Sequence, residues 1–380
     1  MKFAITGSAM VTAVGSDKQR CFEAFCAGQS GRKPLQSFPA NQFNVKHAYE
    51  IADRPNGKDR VLRASELLAK AVAAAVKEAD IPAGARYCVI VGTGLRELRS
   101  LELFWTEGAP LSIDRLHFEC ELNERLGTSV PVITVSNACS ASNFALALAE
   151  DFIHDGVFDC VVVSGCDTIT ESMFGLLDRV NPMHPQHLQP FDRDRKGVLM
   201  GDGAAAVVVE RTEHAVARGA APLAIVRGVG TSCDANHETA PHVPGIVQAI
   251  RDAYDRSEVH ASSIDIVMVH GTGTGLNDKA EALAMHDAMG TAALSTRVSA
   301  LKSMTGHTSG ASGLIGVVTA IESLDSGLVP PTIGLDNAMD EASKMNIVTE
   351  RSCAVACSRL AQVNAFGFGG VNAVVILEAA

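Results

Sequence analysis

The sequence predicts an α/β fold made of two similar halves of one chain. Two apolar strand patterns, 85–94 and 264–273, both end in Gly-Thr-Gly. Two glycine-rich turns that lead into apolar strands, 201–210 and 369–378, repeat in the same order after them. An amphipathic helix pattern precedes each Gly-Thr-Gly strand, and the order strand, helix, strand is typical of α/β units.

The predicted elements follow one another in the same order in the two halves. The first half has an N-terminal strand pattern at 1–7, a helix over 62–79, the 85–94 strand, an apolar run from 132, a small-residue helix over 140–148 and the 201–210 strand. The second half has a helix over 245–254, the 264–273 strand, a small-residue helix over 309–321 and the 369–378 strand. We therefore assign the halves to 1–220 and 221–380, packed as one unit.

Composition restricts the class of protein. The chain has 380 residues, of which 47% are apolar and 20% charged, which suits a large core. No run approaches the roughly 18 uncharged apolar residues of a membrane span, and the N-terminus resembles a strand rather than a signal peptide. The net charge of −11 argues against a general nucleic-acid surface. We expect a cytoplasmic protein that binds neither membrane nor nucleic acid.

The cysteines and histidines predict neither disulfides nor a metal site. The ten cysteines are scattered through apolar segments of a long chain, so reduced thiols are expected. No two of them have the Cys-x-x-Cys spacing, and His184 and His187 have no cysteine or carboxylate near them at ligand spacing. We expect no bound metal.

Cys139 stands where the apolar run from 132 stops and the small-residue helix begins. Backbone N–H groups at a helix start have no partner within the helix, and the helix dipole is positive there. These features favour a thiolate and predict a lowered pKa for Cys139, as in a nucleophile. The alternative is a buried, inert cysteine that acts as a small apolar side chain.

Two histidines occupy equivalent places. The turns at 201 and 369 are 168 residues apart, and Cys139 and His307 are separated by the same 168 residues. Like Cys139, His307 stands at the start of a small-residue helix. His270 directly follows the 264–269 apolar run. Side chains at the ends of buried strands are well placed for catalysis. The nearby charged residues are Lys302, Asp278 and Glu281. The two acids either hold the imidazole rings in place from behind, without contacting substrate, or form the solvated start of a helix.

Five motifs, in order along the chain, resemble those of β-ketoacyl synthases, decarboxylating condensing enzymes of the thiolase-like superfamily. They are Asn-Ala-Cys-Ser-Ala-Ser around Cys139, Pro-Phe-Asp-Arg-Asp-Arg-Lys-Gly from Pro190, His-Gly-Thr-Gly-Thr-Gly from His270, Lys-Ser-Met-Thr-Gly-His-Thr from Lys302 and Asn-Ala-Phe-Gly-Phe-Gly-Gly from Asn364. The resemblance implies a thiolase-like fold, with two pseudo-symmetric βαβαβαββ halves in five layers, α-β-α-β-α.

The resemblance also implies catalytic roles. Cys139 would carry the acyl group as a thioester, and His270 and His307 would hold the malonyl carbonyl, promote loss of carbon dioxide and stabilise the enolate. Two imidazole donors in a dry cleft suit that negative charge. Lys302 belongs to the same catalytic set. The backbone N–H groups of Cys139 and Phe366 would form the oxyanion hole.

The resemblance implies substrate contacts too. Phe366 would gate the acyl pocket, and the glycine-rich segment Gly367, Phe368 and Gly369 would line it. Thr272 and Thr274 match positions that bind the phosphopantetheine arm, although a Gly/Thr turn with local hydrogen bonds is the alternative. A thiolase needs a second cysteine in the loop 364–372, and this loop has none.

An acyl carrier protein is the implied partner, and it brings the phosphopantetheine, so no tightly bound cofactor is expected. Lys58, Arg60 and Arg63 cluster near the helix start in a place similar to the family's carrier-docking site. A solvated helix start is the competing explanation. The family also implies a dimer, either of identical chains or with a homologous ketosynthase-like subunit.

Departures from the family pattern indicate specialised fatty-acid or polyketide biosynthesis, of the polyketide or aryl-polyene type. Asn137 and Val371 stand where threonine is usual, and the segment 95–131 is shorter than in typical relatives. Two other functions stay open. One is a partner subunit of the chain-length-factor kind, which usually lacks the nucleophile. The other is an acyltransferase or thioesterase, for which a single base suffices.

Overall fold

A computed structural model of the chain describes residues 2–181, 183–355 and 358–380. Its first half contains β1 (Phe3–Thr12), α1 (Lys18–Cys26), β2 (Lys33–Pro34), β3 (His47–Ala48), α2 (Arg63–Ala79), β4 (Tyr87–Gly92), α3 (Leu98–Glu107), α4 (Glu119–Leu126), β5 (Val132–Val135), α5 (Ala141–His154), β6 (Cys160–Asp167), α6 (Glu171–Val180), β7 (Gly203–Arg211) and α7 (Thr212–Ala217).

The second half repeats the strand and helix pattern. It contains β8 (Ala224–Cys233), α8 (Val243–Ser257), β9 (Ile266–Met268), α9 (Gly275–Met289), β10 (Arg297–Ser299), α10 (Lys302–Thr305), α11 (Ser312–Ser326), β11 (Leu328–Val329), β12 (Cys353–Ala354), β13 (Leu360–Gly367) and β14 (Val371–Ala379). Within the described ranges, no helix combines the length and the apolar character that a membrane crossing requires.

Ten strands form one mixed sheet in the order β5-β4-β6-β7-β1-β8-β14-β13-β9-β10. The order is a mirror image about its centre, so β4, β5, β6 and β7 correspond to β9, β10, β13 and β14. In both halves the outer strands pair in parallel and the inner ones pair antiparallel. The halves join through β1 and β8, from Phe3 opposite Val226 to Ile5 opposite Ala224. The internal repeat predicted from the sequence is therefore present in the fold.

Three apolar layers alternate with the two half-sheets. On β6, Val162 packs towards α2, whereas Val161 and Val163 face the central layer that holds α5 and α11. On β14, Val375 faces that same central layer, and Val374 packs against the outer layer of α8 and α9. The layers thus follow the order α-β-α-β-α, which confirms the thiolase-like fold implied by the motifs.

The two outer strands of the sheet differ in what covers them. Beside β10, Asn346 and Val348 exchange backbone hydrogen bonds with Val298. The described residues supply no such strand along the far edge of β5, whose four residues are all half-buried. The segment 95–131, which connects β4 to β5, exposes Trp105 and Ile113. In the described residues the two edges of the sheet are therefore covered differently.

Candidate active site

A strained turn presents Cys139 at the start of α5. Ala138 has a φ of 50°, in the left-handed region that a non-glycine residue seldom adopts. A short 3₁₀ turn over 138–140 follows and runs into α5. The Ser140 hydroxyl oxygen lies 2.8 and 2.9 Å from the carbonyl oxygens of Asn137 and Val371, which share its single proton, and this ties the turn to β14. Cys139 as a whole residue is half-buried in the cleft between the halves.

His307 meets Cys139 from the second half. Its backbone N–H donates to the Leu199 carbonyl at 2.8 Å, and its carbonyl accepts from the Gly201 N–H at 3.0 Å. Gly306, at φ 71°, leaves no room for a side chain, because a Cβ there would lie 2.6 Å from the Tyr49 ring. This backbone path sets His307 Nε2 at 3.1 Å from the Cys139 sulfur.

His270 and Lys302 complete the group. The His270 and His307 rings lie edge to face, with centroids 5.5 Å apart. The Lys302 ammonium donates to the His270 carbonyl at 2.5 Å and lies 3.3 Å from His270 Nδ1. The structure therefore brings together the four polar side chains that the sequence placed at strand and helix ends.

The hydrogen bonds define the tautomer of each imidazole. The Ser309 N–H lies 3.2 Å from His307 Nδ1, and a backbone N–H can only donate. An ammonium likewise has donors only, so His270 Nδ1 accepts from Lys302. Burial, together with the charge of Lys302, holds the pKa of both histidines well below the usual value. Each ring is thus neutral with its proton on Nε2, and on His307 this atom faces the Cys139 sulfur.

The sequence-based prediction of a lowered pKa for Cys139 is wrong. Burial removes the thiolate from water and raises the pKa of Cys139 to about 11, although Lys302 and nearby backbone N–H groups act in the opposite direction. Burial also lowers the pKa of Lys302 to about 8. At neutral pH the resting site therefore holds a thiol, two neutral imidazoles and an ammonium group.

Asp278 and Glu281 are fully buried, so the alternative of a solvated helix start is wrong. Glu281 accepts the backbone N–H groups of His270 and Gly271, at 2.7 and 2.8 Å. Asp278 accepts those of Thr272 and Gly273, at 3.0 and 3.1 Å. The two carboxylates hold the backbone of the His270 loop rather than an imidazole nitrogen.

Thr272 and Thr274 lie in that loop, with their hydroxyl oxygens 2.8 Å apart. Thr274 also caps α9, since its oxygen accepts from the Asn277 N–H. These are the local hydrogen bonds expected of a simple Gly/Thr turn. They do not prevent a further bond to a ligand, because a hydroxyl can both donate and accept. The role of both threonines in binding phosphopantetheine stays a prediction.

The structure reassigns the roles expected of Phe366. This residue is buried within β13, opposite Asn372, with its ring 5.8 Å from that of His270. Phe368, by contrast, follows the end of β13, is 50% exposed and has its backbone N–H close enough to the Cys139 sulfur to favour a thiolate. This position makes Phe368, rather than Phe366, the candidate for the second oxyanion donor and for the gate of the acyl pocket.

The glycines around Phe368 explain how this segment fits. A Cβ on Gly367 would lie 3.2 Å from the Cys139 nitrogen, a tight contact, so glycine favours the close approach of this segment to the nucleophile. Gly369 and Gly370 have φ values of 82° and 76°, which form the turn into β14. The motif Phe-Gly-Phe-Gly offers two phenylalanines, and the sequence does not show that β13 ends between them.

The predicted docking cluster does not form a basic surface. Arg63 is 2% exposed, and its guanidinium lies 2.7 Å from both Asp53 and Asp202, so its assignment to carrier docking is wrong. Arg60 is partly exposed but pairs with Glu66 and Asp53. The two arginines that the sequence suggested for a partner are thus neutralised within the chain. Lys58 is exposed, and its role stays a prediction.

Sequence reasoning missed Asp167 and Ser309. Asp167 ends the apolar strand β6 and is fully buried, and Ser309 has a φ of 48°. A charged residue that closes an otherwise apolar run was a visible signal for Asp167. Nothing in the sequence showed that the Ser309 backbone N–H defines the tautomer of His307.

Comparisons with known proteins agree with this geometry. A model of the β-ketoacyl synthase N-terminal domain matches residues 53–215, and a model of the C-terminal domain matches 223–336. The ishigamide ketosynthase/chain length factor has a similar structure, with a TM-score of 0.89 and 31% sequence identity over 100% of this chain and 99% of that one.

Two relatives by sequence illustrate the range. Nodulation protein E of Rhizobium meliloti is 37% identical over 263 residues, which is 68% of this chain, and the chain spans 64% of that protein's length. The 3-oxoacyl-[acyl-carrier-protein] synthase 2 of Vibrio cholerae is 30% identical, with 98% of each chain covered. Together with the two domain models, which span most of the sequence, these matches confirm the resemblance: the chain belongs to the β-ketoacyl synthase family.

Proposed function

We propose that this protein joins an acyl group held on Cys139 to a malonyl unit carried by an acyl carrier protein, with loss of carbon dioxide. The observation that carries the proposal is the convergence of one thiol and two neutral imidazoles. His307 Nε2 lies 3.1 Å from the Cys139 sulfur, and His270 adds a second Nε2–H donor. A nucleophile beside two uncharged donors suits a reaction that builds negative charge on substrate oxygen.

In the first step the acyl group moves from the carrier to Cys139. The Cys139 sulfur attacks the thioester carbonyl, and the bond to the carrier sulfur breaks. The thiol proton leaves with the carrier thiol, so charge balances. Because the pKa of Cys139 is raised to about 11, little thiolate exists before the attack, and the donors beside the sulfur stabilise its negative charge as that charge develops. These donors are the His307 Nε2–H and the backbone N–H groups of Cys139 and Phe368.

In the second step a malonyl thioester enters the emptied carrier site. The bond between its carboxylate carbon and its methylene carbon breaks, carbon dioxide leaves, and the electron pair becomes an enolate. The Nε2–H groups of His270 and His307 donate to the enolate oxygen. The buried Lys302 ammonium keeps His270 Nδ1 an acceptor, so the donor always faces the substrate.

In the third step the enolate carbon attacks the acyl carbonyl on Cys139. The resulting oxyanion takes hydrogen bonds from the backbone N–H groups of Cys139 and Phe368. Collapse of this intermediate breaks the bond to Cys139 and releases the β-ketoacyl carrier, and the sulfur then regains a proton. The phosphopantetheine arm belongs to the carrier throughout, so the chain needs no tightly bound cofactor of its own.

The site argues against the two alternative functions. A subunit of the chain-length-factor kind has no use for a nucleophile presented on a strained turn with His307 in contact. A simple acyltransferase or thioesterase needs one base, whereas His270 and His307 are both neutral donors. We propose a dimer with a second ketosynthase-like chain, identical or homologous, because a ketosynthase/chain length factor is among the similar structures.

Release of carbon dioxide from malonyl carrier tests the proposal. Cys139→Ala should still release carbon dioxide, since both imidazoles remain, but should form no β-ketoacyl product. Wild type should produce the two in equal amounts when an acyl carrier is supplied. Acyl transfer without carbon dioxide release from either form would exclude a decarboxylating synthase and leave the acyltransferase function.

We propose that the carrier docks beside the Thr272–Thr274 loop. Arg195 donates to the Thr274 carbonyl at 3.1 Å, and Gly197 donates to the Gly273 carbonyl at 3.1 Å, so the loop 192–197 forms the rim next to the threonines. Lys196 projects from this rim into solvent. The exposed Lys196 ammonium beside the Thr272–Thr274 loop is better suited to attract an acidic carrier than the Arg63 cluster, whose charges are neutralised within the chain.

Charge reversal at Lys196 tests this docking. We expect Lys196→Glu to raise the KM for a carrier-borne substrate by about 5-fold or more, and to leave the KM for a small thioester mimic unchanged. Lys77→Glu is the matched control, because Lys77 is exposed near the end of α2, which leads to the opposite end of β4. Equal changes for the two substrates would contradict docking at Lys196.

We further propose that the protein works in the cytoplasm on specialised fatty-acid or polyketide substrates. All nine cysteines in the described ranges are free thiols, which suits a reducing compartment. Asn137 and Val371 flank the nucleophile turn and the Phe368 segment, where they distinguish this chain from the family pattern. Assays with acyl carriers of graded length test the substrate class, and a preference for ordinary long saturated chains would contradict it.

A further inference from the structure

One buried carboxylate connects the two halves behind the active site. Asp167 ends β6 and accepts four hydrogen bonds. In the first half the donors are the Thr93 hydroxyl and the N–H groups of Gly94 and Leu95, at 2.8, 2.8 and 2.7 Å. In the second half the donor is the Gly310 N–H, at 2.7 Å. No other side chain in the described residues makes bonds of this kind to both turns.

These bonds oppose the effect of burial on Asp167. Burial raises the pKa of Asp167 above its usual value, the hydrogen bonds act in the opposite direction, and in the described part of the chain the carboxylate forms no ion pair. Each of its oxygens nevertheless accepts two hydrogen bonds. The Thr93 oxygen accepts from the Arg96 N–H, so its own proton points to Asp167. With donors on every side, the carboxylate has no free position for a proton, and these bonds stabilise its charged form.

The Gly310 bond reaches His307 through one residue. Ser309 precedes Gly310, has a φ of 48°, and gives its N–H to His307 Nδ1. A Cβ on Gly310 would lie 2.6 Å from the Thr93 backbone, so the two turns touch with no space between them. An unfavourable conformation at Ser309 persists only if its surroundings hold it. The Ala311 N–H donates to the Thr308 carbonyl at 3.1 Å within the turn, and the Asp167–Gly310 bond ties the turn to the first half.

We propose that Asp167 is a positioning residue for the condensation reaction, which holds the turn 309–310 so that His307 keeps its proton on Nε2 and faces Cys139. It touches no substrate atom in this arrangement. It acts through the Ser309 N–H, and the same carboxylate fixes the turn 93–95 of the other half. The orientation of a second-half catalytic side chain thus depends on a first-half residue.

Asp167→Asn is the informative change. An amide has one accepting oxygen and one N–H₂ group, so in either orientation the N–H₂ group faces a backbone N–H: that of Leu95 on one side, or those of Gly94 and Gly310 on the other. Two donors then face each other and the negative charge is gone, so the hold on the turn 309–310 weakens. Thr93→Val is the matched control, because it removes one donor from Asp167 Oδ1 and leaves the Gly310 bond intact.

Imidazole nitrogen shifts in protein with isotope-labelled histidine test the inference directly. The His307 signals, identified by their absence in His307→Gln, should show an unprotonated Nδ1 and a protonated Nε2 in wild type and in Thr93→Val. In Asp167→Asn they should shift to a mixture of tautomers. A wild-type Nδ1 proton, or unchanged signals in Asp167→Asn, would overturn the inference.

A second test of the role of Asp167 measures the kinetics of carbon dioxide release, and it rests on the proposed function. We expect Asp167→Asn to lower kcat for carbon dioxide release by about 10-fold with KM changed by less than about 2-fold, and Thr93→Val to stay within about 2-fold of wild type. An absence of carbon dioxide release by wild type would contradict the proposed function and leave the tautomer measurement valid. If Asp167→Asn does not fold, rapid amide exchange at Gly310 in wild type, with Gly94 and Leu95 protected, would overturn the inference.

Discussion

His307→Ala should lower the rate of carbon dioxide release from malonyl carrier by at least about 100-fold, the usual loss when one preorganised oxyanion donor is removed. His307 carries two tasks, since its Nε2–H faces both the Cys139 sulfur and the position of the enolate oxygen. Acyl transfer to Cys139 should therefore slow as well, because the raised pKa of the thiol is then no longer opposed by this donor. Single-turnover assays separate the two steps.

The comparison with two other variants makes this result specific. Cys139→Ala should keep decarboxylation and lose only condensation. His260→Ala, which changes an exposed histidine ahead of β9, should behave as wild type in both steps. Decarboxylation by His307→Ala at more than a tenth of the wild-type rate would contradict the assigned role.

Arg63→Met should lower the free energy of unfolding by about 3–5 kcal/mol, the range found when one partner of a buried ion pair is removed. Arg63 and Asp202 lie 2.7 Å apart and are almost fully buried. Without Arg63, Arg54 is the one charged partner that the described ranges leave to the Asp202 carboxylate. Denaturant unfolding at neutral pH measures the loss. Lys58→Met, at an exposed site, should change stability by less than about 0.5 kcal/mol.

The ion pair of Arg63 and Asp202 should also make the free energy of unfolding depend on pH. Burial alone would raise the pKa of Asp202, but Arg63 and Arg54 lower it from 3.8 to about 2. A carboxyl with a depressed pKa in the folded state stabilises the fold above its unfolded pKa and loses that contribution as pH falls through the folded pKa. Wild type should thus lose about 2 kcal/mol from this group between pH 3.8 and 2. Arg63→Met should lack most of that loss, and an unchanged pH profile would contradict the assignment.

The sequence was sufficient for the pairing of Cys139 with His307. Their separation along the chain equals that of the two glycine-rich strand turns, and a repeat whose strands pair as mirror images places equivalent helix starts at one central point. His270 was equally accessible to prediction, because it ends an apolar run. Local periodicity and spacing carry this kind of information.

The errors concern quantities that depend on tertiary packing. The pKa of Cys139 was expected to fall because a helix start is visible in the sequence, whereas the burial that raises it is not. In the sequence Arg63 looks like a surface charge, because its buried partner Asp202 lies 139 residues further along the chain. Phe366 and Phe368 differ only in where β13 ends, and strand ends are the least certain part of such a prediction.

The protonated thiol of the resting site has a consequence for chemical resistance. Peroxides and electrophilic inhibitors react with thiolates, and a cysteine with a pKa of about 11 presents almost none at neutral pH. Reactivity arises only when a thioester carbonyl lies against the backbone N–H groups of Cys139 and Phe368 and can take up the developing charge. We therefore expect slow oxidation of Cys139 between turnovers, and we expect an inhibitor that imitates a thioester to label it far faster than a general alkylating agent.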